Sequence, residues 1–308
     1  MADPITQAYS PHLSREAVDA GEGKTLFLRS ITEQLTGWDD PRARLRKALV
    51  NDEFMLFCQQ YVDVKNSGKP CPYYEILIRL QEEESNLTPP GTFIPFAEHF
   101  NMTTDIDRWV VRNVINWHHR HRRDTPLWRG PMYSLNLFSS TMGNTGYCDY
   151  VGKLLRVSEV PPQVLCFELG EDDVSKQPEV AARFSNELRQ AGCRVALGGF
   201  HGGKISYEIL KQVPVDFVKL DGAMMFDIHN HAVNRAKVEA ICRVCSVIGL
   251  RTVAQFVESS GALQLLTEFG VDYAQGFGLM MPHSIDLLMQ HPQLYGKNQA
   301  AGALGDAL

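Results

Sequence analysis

The feature that most restricts what this chain can fold into is a rhythm. From Ala43 to Pro282, short β-branched or apolar runs alternate with amphipathic stretches of helical length. Eight runs read as strands: FMLFCQQYVDV, YYEILIRL, MYSLNLF, QVLCFEL, RVALGGF, FVKLDG, RTVAQFV and YAQGFGLM. Between them, DIDRWVVRNVINWHH, EVAARFSNELRQAG, RAKVEAICRVCSVIG and SGALQLLTEFG carry helical spacing, and the last three end on a glycine suited to a C-cap. Strand followed by helix, repeated in this way, predicts parallel strands wrapped by helices and closed as a (β/α)8 TIM-like barrel, an α/β fold. Only KNSGKPCP separates the first two strands, which is too short for a crossover helix. That first strand pair is therefore predicted to be antiparallel, and the barrel to be a variant.

Three segments follow from this reading. Residues 1–42 form an arm or linker, polar and broken by Pro and Gly, with a short helix in KTLFLRSITEQL; residues 43–290 form the barrel; residues 291–308 form a tail. The 308 residues are 44% hydrophobic and 21% charged, so a packed core is expected rather than disorder. A net charge of -6 gives no global reason to bind nucleic acid or anionic lipid. Seven scattered cysteines, an odd number, suit a reducing cytoplasm, and Cys242 with Cys245, mid-helix in AICRVCSVIGL, read as core packing rather than a zinc or redox pair. No signal peptide and no membrane-spanning apolar run stand out, so a soluble protein is expected.

In such barrels the C-terminal ends of the strands make the functional face. The polar residues there are Glu75 and, four positions on, Arg79; Asn136; Glu168; Gly198 and Gly199 after RVAL; Lys219 and Asp221; Gln255; and Gln275. A Glu, an Asn and a second Glu inside apolar strands are expensive to bury unless they meet a cation or hydrogen-bond partners, so a ligand site explains them together.

The order of E-x-L-x-R, FIPFAE, a strand with an internal Asn, EL-x-E, VK-x-D, A-x-x-VE and QG-x-x-x-x-x-P resembles the EAL family of cyclic di-GMP phosphodiesterases over roughly residues 43 to 290. The resemblance implies a bacterial signalling protein with a barrel fold. In active members it implies two divalent metals that activate water against a phosphodiester. It assigns Glu75, Asn136 and Glu168 to metal-ligand positions, Lys219 to the catalytic lysine and Arg79 to a phosphate contact. Gln59 falls at the family's Y-Q-P position and Leu77 at the apolar third place of its signature. The paired aspartates of the family's D-D-F-G-T-G loop correspond to Gly198 and Gly199, the first acid of A-E-G-V-E to Gln255, and the second acid survives as Glu258.

Three ligand carboxylates are therefore replaced. Glu75, Glu168 and Asn136 offer two negative charges and one carbonyl, too little for two hard divalent ions. The chain is expected to be catalytically inactive, with Glu75 and Lys219 as remnants, to need no cofactor and to hold neither Mg²⁺ nor Mn²⁺. The leading expectation is a cyclic di-GMP receptor that binds through Gln59, Leu77, Arg79, Asn136, Glu168, Lys219, Asp221, Glu258 and Gln275 and signals to a protein partner, as a homodimer. The alternatives are a protein-interaction module that binds neither nucleotide nor metal, and a weak metal-dependent phosphodiesterase.

Other signals read more plainly. GGFHGGK matches a phosphate-binding loop until its next residue, Ile205, stands where Ser or Thr should hold Mg²⁺. The cluster His118, His119, Arg120, His121, Arg122 and Arg123 reads as a solvated helix end, Glu82 to Glu84 as a solvated loop, and His201 as an exposed loop histidine.

Overall fold

The structure, a computed structural model, describes residues 38–66, 69–82, 86–122, 131–226 and 228–290. The arm up to residue 37 and the tail from 291 lie outside the described residues, as do Glu83, Glu84 and Arg123. The strands are β1 (Phe54–Asp63), β2 (Lys69–Gln81), β3 (Leu87–Thr88), β4 (Met132–Asn136), β5 (Leu165–Gly170), β6 (Arg194–Phe200), β7 (Phe217–Leu220), β8 (Arg251–Ala254), β9 (Tyr273–Ala274) and β10 (His283–Ser284). The helices are α1 (Pro41–Val50), α2 (Pro90–His99), α3 (Thr103–Arg122), α4 (Ser139–Met142), α5 (Tyr147–Ser158), α6 (Glu171–Lys176), α7 (Pro178–Gln190), α8 (Lys204–Gln212), α9 (Ala232–Val247), α10 (Ser260–Glu268) and α11 (Leu287–Gln290).

All eight predicted strands form. From β2 through β4 to β9 they pair in parallel, and β1 closes the ring by pairing antiparallel with β2 on one side and β9 on the other. The two-residue strands β3 and β10 are additions, laid antiparallel on β2 and β1. Every residue of β5 and β7 is buried, with no alternation, because parallel barrel strands face helices on one side and the interior on the other. Strand β2 begins at Lys69, inside the predicted connection, and β8 and β9 stop earlier than the apolar runs that contain them.

Helix ends follow local chemistry. Asp40 and Ser259 accept the backbone N–H groups of Ala43 (3.0 Å) and Ala262 (3.1 Å), capping α1 and α10. Gly192, Gly249 and Gly270, just past α7, α9 and α10, take φ of 88°, 78° and 78°, the left-handed backbone expected of C-terminal caps. Trp38 packs on Phe96 of α2 at 5.9 Å between ring centroids, so the barrel's contacts begin before residue 43.

The core has two parts. The larger lies between strands and helices, and there Cys242 and Cys245 are buried apolar groups, as expected. A smaller cluster of Tyr61, Cys71, Met132, Cys166, Ala196, Phe217, Val253 and Tyr273 fills the barrel interior. The basic cluster on α3 is less solvated than predicted: His118 is buried against the Tyr133 hydroxyl (3.3 Å), and His119 and His121 lie 2.6 and 2.7 Å from the carbonyl oxygens of Ser158 and Trp117. The reason is the helix period, which turns His118 to the same face as Val111, Val114 and Ile115. Glu82 is likewise held by Arg44 at 3.1 Å rather than left to solvent.

Asp107 on α3 accepts the Phe138 N–H (3.1 Å) and the Thr141 hydroxyl (2.6 Å), fixing the chain just after β4. Burial pushes its carboxyl up to about 8 against the lowering effect of those two donors. Since folding raises this value, its stabilisation is fully present below about pH 4 and is lost as the pH rises through about 8. Urea midpoints of the native chain should therefore fall between pH 5 and pH 8 by more than those of Asp107→Asn; equal slopes would remove Asp107 as the cause.

Candidate functional site

Side chains alternate along each strand, so residues in step with the apolar floor also point inward. Moving toward the C-terminal ends, the next inward positions are Glu75, Asn136, Glu168, Gly198, Lys219, Gln255 and Gln275, joined from the reversed strand β1 by Gln59, which pairs directly with Glu75. Apolar below and apolar outside, this polar layer is where the sequence placed its candidate site.

Its centre is an ammonium between two carboxylates. The Nζ of Lys219 lies 2.6 Å from Oε2 of Glu168 and 3.0 Å from Oε2 of Glu75, and all three residues are at most 4% exposed. Asn136 donates its Nδ2 to the other oxygen of Glu75 at 2.8 Å, and Gln275 donates Nε2 to Glu75 and to Oε1 of Gln59 (3.1 Å). Gln59 in turn donates to the Met280 carbonyl at 2.8 Å. Burial opposes ionisation of Glu75, yet Lys219 and the two amides hold its carboxyl below the usual range. Glu168 has fewer donors, and burial together with Glu75 pushes it up to about 7 despite Lys219. Burial also works against a charged Lys219, but the two glutamates hold it well above the ordinary lysine value. Three acceptors in this layer, Asn136 Oδ1, Glu168 Oε1 and Gln275 Oε1, are buried without a partner among the described residues.

Arg79 and Leu77 share the inward face of β2 with Glu75, closer to the barrel mouth, and both are buried. The guanidinium of Arg79 stacks over Phe57 at 5.4 Å and donates to the Ile78 carbonyl at 2.9 Å. No carboxylate pairs with it among the described residues. Gln255 is buried at the end of β8, whereas Glu258, three residues on, is exposed, so the structure does not bring that acid into the polar layer. Asp221 stands at the rim, accepting the Ala223 N–H at 2.7 Å.

At Gly198 and Gly199 strand β6 takes three residues from Leu197 to Phe200 where β7 takes two, a bulge, and Gly199 has φ +67°. The segment after it is latched. Glu171, the first residue of α6, accepts the His201 backbone N–H (3.1 Å) and the Ser206 hydroxyl (2.7 Å), while the His201 ring faces Glu171 at 3.5 Å and Asp221 at 3.0 Å. His201 is therefore a bridge between three strand-end loops, not a free loop side chain. The Ser206 hydroxyl donates to Glu171 and accepts the Gly203 N–H at 3.0 Å, so it is committed within this loop. Sequence reasoning overlooked Glu171 and Ser206, although the second acid of ELGE was visible. Glu171→Ala should speed hydrogen exchange of the 201–206 amides about tenfold, the effect of losing ~1.4 kcal/mol of hydrogen bonding; unchanged exchange would mean the loop is held by its own turns.

The comparisons agree with this architecture. The EAL domain family matches residues 42–282. The cyclic di-GMP phosphodiesterase PdeB of Shewanella oneidensis is 31% identical over 242 residues, 79% of this chain and 28% of that protein, and PdeF of Escherichia coli is 27% identical over 79% of this chain and 32% of its own length. The chain thus spans about a third of the length of these relatives. Among solved structures, the FimX EAL domain from Pseudomonas aeruginosa bound to c-di-GMP superposes with TM-score 0.72 at 26% identity, covering 79% of this chain and 96% of that one. The Xanthomonas citri FimX EAL domain in complex with c-di-GMP gives 0.74 at 25% identity over 86% and 97%. On the extent of the family match and the barrel that carries it, this chain belongs to the EAL domain family.

Proposed function

We propose that this domain is a non-hydrolytic receptor for cyclic di-GMP that works without a metal. The observation that carries the proposal is the charge balance of the polar layer, where both inward carboxylates are already bound to Lys219. Two-metal hydrolysis needs several carboxylates to hold two divalent ions ~3.5–4 Å apart. Here Gly198 and Gly199 offer no side-chain oxygen, Gln255 is neutral and Glu258 points to solvent. Among the described residues, no three His, Cys, Asp or Glu side chains are gathered as a metal would require. The donor set does not suit the metals of an active family member.

A cyclic dinucleotide is a dianion with two purines, and phosphate recognition asks for an unpaired cation near the mouth. Arg79 is such a cation, and Gln59 and Gln275 add amide donors beneath it. Replacing three acids by neutral residues lessens the repulsion a phosphate would meet. Similarity to FimX domains described as bound to c-di-GMP supports the same ligand class. No helix among the described residues is long and apolar enough to cross a membrane, all seven cysteines are free, and the proposal places the domain in the cytoplasm.

For output the proposal includes a homodimer and a protein partner. Val233, Ala236, Ala240, Val244 and Val247 make an exposed apolar stripe on α9, opposite the face that buries Val238, Ile241, Cys242 and Cys245. Val247→Glu should shift a sedimenting dimer to monomer; an unchanged mass would place any self-association elsewhere.

Calorimetric titration with cyclic di-GMP, in EDTA and then in Mg²⁺ or Mn²⁺, with assay of the same samples for linear pGpG, tests the central reading. Binding in EDTA without product is expected, weakened at least about tenfold by Arg79→Ala, the effect of one lost charged hydrogen bond. No binding in either condition would leave a protein-interaction module, and product would make the domain a phosphodiesterase.

A further inference from the structure

We infer that Lys219 is a built-in cation standing in for a divalent ion between Glu75 and Glu168, and that Gly198 supplies the room this arrangement requires. The inference deepens the metal-free half of the reading above and rests on it. Glu168 and Gly198 lie two residues apart in register on the adjacent strands β5 and β6, with Glu168 beside Ala196 and Gly170 beside Gly198. To reach Lys219, the Glu168 side chain lies across the glycine. A β-carbon built on Gly198 would overlap its Oε1 and stand 2.9 Å from its Cδ and 3.0 Å from its Cγ. Contacts that close must be relieved, and here the atoms in the way belong to a fully buried carboxylate rather than to a free side-chain tip.

The loss of a side chain at 198 therefore has two effects in one substitution. It removes an oxygen donor, and it opens the volume into which Glu168 turns to meet Lys219. Once there, Glu168 and Glu75 share an ammonium that is tethered to β7 and needs no recruitment from solvent. The amides complete the enclosure, because Asn136 and Gln275 turn N–H donors toward Glu75. An ion seeking Glu75 and Glu168 would have to displace a fixed positive charge and, at Glu75, two N–H donors.

Removing the tethered charge should reopen the site to an outside cation. With Mn²⁺ alone as the probe, the native chain should show no metal-dependent shift in thermal midpoint and no loss of the free Mn²⁺ EPR signal. Lys219→Met leaves two buried carboxylates unpaired, so its midpoint in EDTA should fall on the order of 10 °C, and Mn²⁺ should restore much of that loss as the EPR signal shows the ion bound. Adding Glu168→Gln to Lys219→Met should abolish the response. Should Lys219→Met fail to fold, Gly198→Ala carries the test: it should lower the midpoint in the native background and do little in a Glu168→Ala background. Mn²⁺ binding by the native chain, a Lys219→Met variant no more responsive than native, or additive effects at 198 and 168 would each overturn the inference. Cyclic di-GMP enters none of these measurements, so failure of ligand binding and failure of this inference are separate results.

Discussion

Closure of the ring by β1 is the constraint on which the rest depends. Seven parallel strands leave two open edges, and a strand running the other way meets both, pairing Gln59 with Glu75 on one side and Val62 with Ala274 on the other. Because β1 is reversed, its inward residues enter the layers in reverse order, so Tyr61 joins the apolar floor and Gln59 the polar layer above it. The antiparallel strand thereby supplies an amide to a site otherwise built from the ends of parallel strands.

The polar layer balances its charge from within the chain. Buried carboxylates are tolerable only when paired and hydrogen-bonded. With only Glu75 and Glu168 turned inward as acids, Lys219 is placed to neutralise both. Arg79 escapes this balancing because it sits two inward positions nearer the mouth, beyond Leu77, where stacking on Phe57 supports the guanidinium without neutralising it.

Much of this was legible in the sequence. Short β-branched or apolar runs alternating with helical runs gave the barrel, and a short connection gave the reversed first pair. Glu75, Asn136, Glu168 and Lys219 stood out because such residues are costly inside strands, and they do converge. Other parts carried no local signal. Two-residue strands are too short to show a period, so β3 and β10 were invisible. The bridge from His201 to Asp221 and Glu171 joins three loops that only the closed barrel brings together. Glycine at 198 was readable as a missing carboxylate, but that Glu168 fills its space is a fact of packing between neighbouring strands. Glu258 matched its motif and still faces solvent, because the chain leaves the strand at Ala254 and the alternation that aims side chains inward ends with it.

The pairing of β1 with β9 and β10 also fixes when the barrel can be finished. The first strand waits for partners more than 200 residues away in the chain, at Tyr273–Ala274 and His283–Ser284. During synthesis the growing barrel must therefore carry an unpaired edge on β1 until nearly all of the domain has left the ribosome. Such long-range closure makes folding slow and late, and it makes the segment from Tyr273 to Leu288 a terminal clasp whose truncation would leave an open, association-prone sheet rather than a smaller barrel.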